Sequence, residues 1–309
     1  TRTDAGAEPS GQAFDPGHPL VEDYLTKVFL DIVNNFDIDG IHYDYIRFTG
    51  RNQGYNPTSV ARYNARHGLS GDPAWNDAQW KQWRRDQITN LVRRIYHKVQ
   101  IVKPSIKVSG AFVCGHPEPP SATRSAFTGY TQAYNDHYQD WDSWLQEGIV
   151  DMACPMTYFD YAGSHQQDWF GWLTFQKDRH GNRHMITGPG LYMNSLSNAI
   201  LELQQVRTPS SNGNKVQGFS GYDYKTPYSG GSWSSWAPTF KSQITPTWDD
   251  IPAMPWKVSP TKAHIHGTVY NGSKWVDGAH ITLIGPDMRT QDADGTGFFG
   301  FTDVSPGTY

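Results

Sequence analysis

The sequence predicts an α/β protein, a TIM-like (β/α)8 barrel followed by a small all-β sandwich module. Three observations carry this prediction. Apolar, strand-like runs alternate with helical patterns as far as residue 247; polar and aromatic residues gather just past the carboxyl end of each run; and the composition changes after Thr247.

The elements follow in order. Asp15 to Phe36 has the pattern of a helix, with Asp15 placed to cap, Pro16 at the first helical position and an apolar stripe of Leu20, Tyr24, Leu25, Val28, Phe29, Ile32 and Phe36. A strand over Gly40 to Phe48 comes next. A Gly/Asn/Pro loop leads to a short helix over Ser59 to His67 and a long one over Asp77 to Lys103, stopped by Pro104. Strands are then predicted over Ile106 to Val113, Ile149 to Tyr158, His184 to Leu191 and Val216 to Tyr222. Helices over Asp140 to Glu147, Gln166 to Asp178 and Ser195 to Val206 separate them. Strands spaced by helices imply βαβ units and a parallel sheet. No G-x-G-x-x-G follows the first strand, which removes the dinucleotide-binding alternative, and residues at strand carboxyl ends suit a barrel. A barrel needs eight strands and five are visible, so the chain is expected to enter mid-domain.

Residues 1–247 are accordingly assigned to the barrel and 248–261, with Pro252, Pro255 and Pro260, to a linker. Residues 262–309 form the β module, with strands over Ala263 to Tyr270 and Ala279 to Ile284 around an Asn271-Gly272 turn.

Composition narrows the function classes. Among 309 residues, 26 basic and 30 acidic side chains give a net charge of -4 without a long run of either sign, which argues against nucleic-acid or anionic-membrane partners. Twelve Trp, 17 Tyr and 14 Phe beside 18% charged residues suit stacking on sugar rings, and equally suit a large aromatic core. Cys114 and Cys154 end apolar runs, where small buried thiols are common. No apolar segment is long enough to span a membrane. The pairs His116/His137 and His264/His266 lack a third convergent ligand in sequence, so no metal site and no cofactor is predicted.

The stretch DGIHYDYIR (Asp39 to Arg47) sets Asp44 among residues expected to be buried. An unpaired buried carboxylate is costly, so Asp44 is either neutralised by a partner or used in chemistry. Alternation along a strand places His42, Asp44 and Ile46 on one side and Ile41, Tyr43 and Tyr45 on the other. If the second set packs on helices, His42 and Asp44 face the barrel lumen. A carboxylate there can serve as nucleophile or acid/base, and glycoside cleavage uses two.

Several ordered motifs together resemble the family-10-like glycosyl hydrolases, a bacterial group distinct from the family-10 xylanases. They are DPGHP (Asp15 to Pro19), DGIHYDYIRF (Asp39 to Phe48), GYNP (Gly54 to Pro57), WRRDQIT (Trp83 to Thr89), YQDWDSWLQEGIVDMACPMTY (Tyr138 to Tyr158) and GFSGYDY (Gly218 to Tyr224). The resemblance spans residues 10–245. It implies a TIM-like barrel represented by strands four to eight, with Asp44 on the fourth. Two larger families limit what carries over. The α-amylase group has an arginine where His42 stands. Family-18 chitinases use D-x-x-D-x-D-x-E at this strand, where Asp39, His42, Asp44 and Ile46 fall, so Ile46 replaces their glutamate. Met156-Thr-Tyr158 is similar to the chitinase M-x-Y-D, with Phe159 inserted before Asp160, which nominates Met156 and Tyr158 for the pocket.

For the second carboxylate, Glu118 occupies the loop where an amylase-like acid/base would lie, and Asp160 and Asp223 are rivals; each also suits a surface loop, turn or cap. Arg47 is assigned to neutralising Asp44 or binding substrate, His42 to a sugar contact or a satisfied core, and Tyr158, Tyr192 and Tyr222 to the pocket. Asp140 is expected to cap the helix that begins at Trp141, and Trp169 and Trp172 to pack. These expectations describe a secreted or cell-surface glycoside hydrolase acting on a polysaccharide or glycan. The alternatives are a carbohydrate-binding barrel without chemistry, favoured by Ile46, and a structural surface protein. The last is favoured by IHGTVYNGSKWVDGAHITLIG (Ile265 to Gly285), which resembles a carboxypeptidase regulatory-like β-sandwich.

Overall fold

The structure is a computed structural model that describes residues 13–309; the part of the expected barrel segment on residues 1–12 lies outside the described residues. Strands β1 (Gly40–Tyr43), β2 (Lys107–Val113), β3 (Met152–Thr157), β4 (His184–Pro189) and β5 (Gly218–Phe219) form one parallel sheet in sequential order. Among the described residues β1 and β5 are its edges, and the sheet does not close. Helices occupy every crossover and flank the sheet in sequence: α1 (Pro19–Asn35) before β1, α2 (Pro57–His67), α3 (Ala78–Val102), α4 (Arg124–Tyr130), α5 (Gln132–Asn135), α6 (Trp141–Glu147), α7 (Gln166–Arg179) and α8 (Leu196–Arg207) between strands, and α9 (Trp233–Gln243) and α10 (Pro255–Val258) after β5. The expected five strands and the helices between them are therefore present.

Burial along β3 shows how the sheet presents itself. Ala153, Pro155 and Thr157 are buried beneath helices, while Met152, Cys154 and Met156 on the opposite face are half-buried. That second face is where a site can form.

Several boundaries differ from expectation for local reasons. α1 begins at Pro19, capped by His18, because Asp15 is spent elsewhere: its buried carboxylate accepts the Gly17 N–H at 2.9 Å and the Asn56 N–H at 3.2 Å. Leu20, Tyr24 and Phe36 are exposed, whereas Glu22, Thr26 and Val33 are buried, so the predicted stripe only partly faces the core. β1 ends at Tyr43 rather than Phe48, since Tyr45 has a left-handed backbone (φ 54°) that no strand accommodates. Tyr45 is consequently exposed and does not pack on the helices. Both cysteines are free thiols.

The arginines of WRRDQIT are structural. Arg84 is buried, donates to the carbonyls of Arg51, Gln53 and Trp75 at 2.7–2.9 Å, and lies over the Tyr138 ring. One guanidinium thus pins the loop after β1. Asp140 accepts the Ser143 N–H and caps α6, as expected, and Trp169 and Trp172 are fully buried.

Residues 248–261 are not a free spacer. Trp256 on α10 donates to Asp151 Oδ1 at 2.7 Å, and Lys257 Nζ lies 3.0 Å from Oδ2. Asp151, fully buried at the amino end of β3, also accepts Tyr96 Oη–H at 3.2 Å and Val108 N–H at 2.8 Å. Beyond it, β6 (Ala263–Thr268), β7 (Tyr270–Asn271), β8 (Lys274–Trp275), β9 (His280–Leu283), β10 (Arg289–Asp292) and β11 (Phe298–Val304) pair as three two-stranded antiparallel sheets: β6 with β11, β7 with β8, and β9 with β10. This region docks on α2 and α3 through Arg62–Asp277 and Arg94–Asp294. A Cβ on Gly300 would come within 2.4 Å of the His97 ring, so the close approach requires glycine. Burial, then the adjacent His264 and His266, push His97 down to about 2, and the ring packs neutral.

Two predictions follow from these buried groups. Asp151→Ala should strip Lys257, Trp256 and the Val108 N–H of their partner, costing about 3–5 kcal/mol in urea unfolding; a loss under about 1 kcal/mol would show the carboxylate is dispensable. Glu202, buried on α8 with only Asn194 Nδ2 near it at 3.3 Å, is pushed by burial from 4.5 up to about 9. The folded state therefore keeps a proton that the unfolded state releases, so stability falls as pH rises from about 4.5 to about 9. Glu202→Gln should remove that slope, on the order of 1 kcal/mol per pH unit, and should melt above the parent at pH 8. Parallel melting-temperature profiles for the two proteins would show that Glu202 does not set the slope.

Candidate functional site

At the carboxyl end of the sheet lies a cavity of ≈ 420 Å³ whose walls include His42, Asp44, Arg47, Met156, Tyr158 and Tyr222. Strand register builds its floor: His42 pairs with Ser109, Ala111 with Cys154 and Met156 with Gly188, so one face of the sheet looks into the space. A Cβ on Gly188 would stand 2.6 Å from the Pro155 carbonyl oxygen, which keeps that position small. Ala111, Cys154, Gly188, Ser220 and Gly221 are cavity residues that the sequence reading does not assign to the pocket. For Cys154 the available signal is its two-residue alternation with Met156 on β3.

Asp44 is not buried among apolar groups, as its neighbours in sequence suggested; its side chain is 60% exposed and it lines the cavity. The strand has ended one residue earlier. Asp44 Oδ1 accepts the Tyr45 N–H at 2.7 Å, and the Arg47 N–H closes the same turn on the Tyr45 carbonyl at 2.7 Å. These bonds hold the left-handed Tyr45, a conformation that costs on the order of 1 kcal/mol and is found where a chain orients functional groups. Gln139 clamps the turn from outside: its Nε2 donates to Ile46 O at 3.2 Å while its Oε1 accepts Val113 N–H at 2.7 Å. His137 adds a ring contact to the Phe48 carbonyl at 3.0 Å.

Arg47 lies beside Asp44 at the cavity wall. Its Nη1 is 3.8 Å from Asp44 Oδ1, too long for a hydrogen bond, and that buried nitrogen has no hydrogen-bond partner among the described residues. The guanidinium lies over the Tyr45 ring. Burial lowers its affinity for its proton, and Asp44 acts in the opposite direction.

His42 Nδ1 lies 2.9 Å from Ser109 Oγ, whose hydroxyl donates to Ile41 O at 3.2 Å. The hydroxyl therefore accepts from Nδ1–H, and Nε2 carries a lone pair. Burial lowers the His42 pKa and the Asp44 charge raises it, with burial prevailing. Tyr158 and Tyr222 stack with centroids 5.2 Å apart, and Tyr192 meets both rings edge-on at 6.3 and 6.0 Å. Burial first, then Tyr222, Tyr192 and Asp44, push the Tyr158 hydroxyl up to about 12, so it remains a donor. Burial likewise raises Cys154 to about 12, leaving a neutral thiol.

The three candidates for a second carboxylate do not join Asp44. Among the described residues Asp44 is the one acid lining the cavity. Glu118 lies against Phe170 and Gly171 of α7 in a different cavity. Asp160 accepts the His165 N–H at 3.0 Å and Asp223 the Thr226 N–H at 2.7 Å, each ordering its own loop. Turn and cap chemistry has claimed both aspartates. A convergent His116, His165 and Asp168 group, missed from sequence because His116 lies some 50 residues before the other two, is the set of described residues able to hold a metal. Burial raises the Asp168 pKa, but hydrogen bonds from His165, His116 and the Glu118 N–H outweigh it and hold the carboxyl below its ordinary range.

In parallel α/β barrels functional side chains gather at the carboxyl ends of the strands, where Asp44, Arg47 and the stacked tyrosines stand here. The chain belongs to the glycosyl hydrolase-like 10 family, which it matches over residues 1–188. It is 28% identical over 162 residues to the glycosyl hydrolase DigH of Escherichia coli strain K12, covering 50% of this chain and 34% of that protein. It is 27% identical over 147 residues to the glycosyl hydrolase YngK of Bacillus subtilis strain 168, covering 47% and 28%. The matched part is thus about a third of the length of these relatives. Among solved structures, the PgaB (BpsB) glycoside hydrolase domain from Bordetella bronchiseptica aligns with a TM-score of 0.49 and 13% identity over 71% of this chain and 63% of that one. Bee venom hyaluronidase, in complex with a hyaluronic acid tetramer, aligns with a TM-score of 0.42 and 12% identity over 80% and 81%.

The geometry also yields a titration test. Removing the Asp44 charge removes the influence that favours imidazolium at His42, so Asp44→Asn should lower the His42 pKa further, as read from imidazole NMR shifts against pH. An unchanged or raised value would mean that the two side chains do not sense each other.

Proposed function

We propose that this chain provides the glycan-binding and cleaving site of a glycoside hydrolase, with Asp44 as one catalytic carboxylate. The observation that carries the reading is the convergence of Asp44, His42, Arg47, Met156, Tyr158 and Tyr222 on one cavity at the carboxyl end of a parallel sheet, in a glycosyl hydrolase-like family. Tyrosine faces at the rim suit the C–H faces of a pyranose, and the unpartnered Arg47 Nη1 and the Tyr158 hydroxyl offer donors to its oxygens. Met156 supplies an apolar wall, and Tyr192 braces the stacked pair. The five strands are read as strands four to eight of a barrel, residues 1–247 as its segment, 248–261 as a docked connection and 262–309 as a sandwich-type spacer module. With a polysaccharide as substrate, the reading is of a secreted or surface-bound protein.

The second carboxylate is drawn from Glu118, Asp160 and Asp223, in loops beyond the same strand ends; none lines the cavity with Asp44. That absence from the cavity favours a second reading, a barrel that binds glycan without cleaving it. Turnover of polysaccharide by the whole protein separates the two. Asp44→Asn keeps the volume and the acceptor for Tyr45 N–H, so the fold should hold while turnover falls by about 10²–10⁴-fold. Near-parental turnover would remove Asp44 from the mechanism. Oligosaccharide binding by a parent protein that never cleaves would establish the binding-only reading.

A further inference from the structure

The loop after β2 and the first turn of α7 bring together three groups with metal-ligand chemistry, outside the cavity lined by Asp44. His116 Nδ1 is 2.9 Å from Asp168 Oδ1 and 3.0 Å from Oδ2, and His165 Nδ1 is 2.8 Å from Oδ2. One ligand atom from each residue falls within 4.8 Å of the others. Ligand atoms around a tetrahedral ion at 2.0–2.2 Å stand about 3.3–3.6 Å apart, so a small outward movement of the rings suffices to admit one.

The rings are free to make that movement, and the carboxylate is not. The side chains of His116 and His165 are 64% and 47% exposed, while that of Asp168 is 4% exposed and receives the Glu118 N–H at 3.1 Å. A hydrogen bond from the backbone to a ligating carboxylate is the support that orients metal ligands. His165 stands at the N-cap of α7, yet its side chain makes no capping bond and is turned to Asp168 instead. Its three-residue spacing from Asp168 puts both on one face of the helical turn.

We propose that His116, His165 and Asp168 bind one divalent transition-metal ion of the zinc, cobalt and nickel class, fastening the loop after β2 to α7. Two imidazoles and a carboxylate select this class over magnesium or calcium, which take oxygen ligands. Beside an acceptor-only carboxylate each Nδ1 carries the ring proton; on binding, that proton passes to Nε2 and Nδ1 takes the metal. Both rings face solvent, so the remaining coordination positions fall to water.

The test is calorimetric titration of chelator-treated whole protein with zinc chloride, paired with cobalt(II) absorption spectra. One equivalent should bind with a dissociation constant on the order of 1 μM or tighter and raise the melting temperature. His116→Ala and His165→Ala should each weaken binding by more than about 10-fold while remaining folded in chelator, since both rings are exposed. His264→Ala should bind zinc as the parent does. Binding should weaken below about pH 6.5, where protons compete for the imidazoles. A parent protein that takes up no stoichiometric zinc, or His116 and His165 variants that bind it unchanged, would overturn the site and leave these residues as a hydrogen-bonded brace.

Discussion

The structure depends on the satisfaction of one buried carboxylate, Asp151. Isolated at the amino end of β3, this charge would cost several kcal/mol. Instead it collects donors from three directions: Tyr96 of α3, the backbone of β2, and Trp256 with Lys257 on α10. Helix layer, sheet and the connection to the C-terminal strands are thereby held at a single point. The Pro-rich connection is consequently part of the fold, and the antiparallel region beyond it gains a defined seat on α2 and α3.

Pinning the amino end leaves the carboxyl end to loops, and those loops are ordered by other means. Arg84 holds the loop after β1 by three carbonyls, and Gln139 bridges Ile46 to β2. Between these clamps the backbone can sustain a left-handed Tyr45, which turns Asp44 into the cavity and buries most of Arg47. The Arg47 Nη1 left without a hydrogen bond is a cost to stability that a bound oxygen would relieve. The left-handed Tyr45 and the unmet Arg47 donor thus meet beside Asp44 at the carboxyl end of the sheet.

The same economy explains the fates of the candidate acids. Asp160 and Asp223 are absorbed by turns and Asp140 by a helix cap, as short acceptors next to free N–H groups usually are. Asp168 holds two imidazoles together, and Glu118 packs its stem against Gly171. Asp44 alone keeps an oxygen directed at open space within the cavity.

The sequence by itself determined the α/β class, the five strands in order and the helices between them, because periodicity, caps and prolines act within a few residues of where they stand. Six residues nominated from sequence line the cavity: His42 and Asp44 by strand alternation, Arg47 by its place beside Asp44, Tyr158 and Tyr222 by position at a strand end, and Met156 by a motif resemblance. Tertiary structure decided the rest. That Asp151 would be a hub, that α10 would dock under the sheet, that His116 would meet His165 and Asp168, and that Glu118 would turn away from Asp44 all depend on loop paths and contacts between residues some 40 to more than 100 positions apart. No local pattern encodes such meetings, because a carboxylate in a loop has the same sequence signature whether it caps, bridges or reacts, and only its assembled surroundings choose.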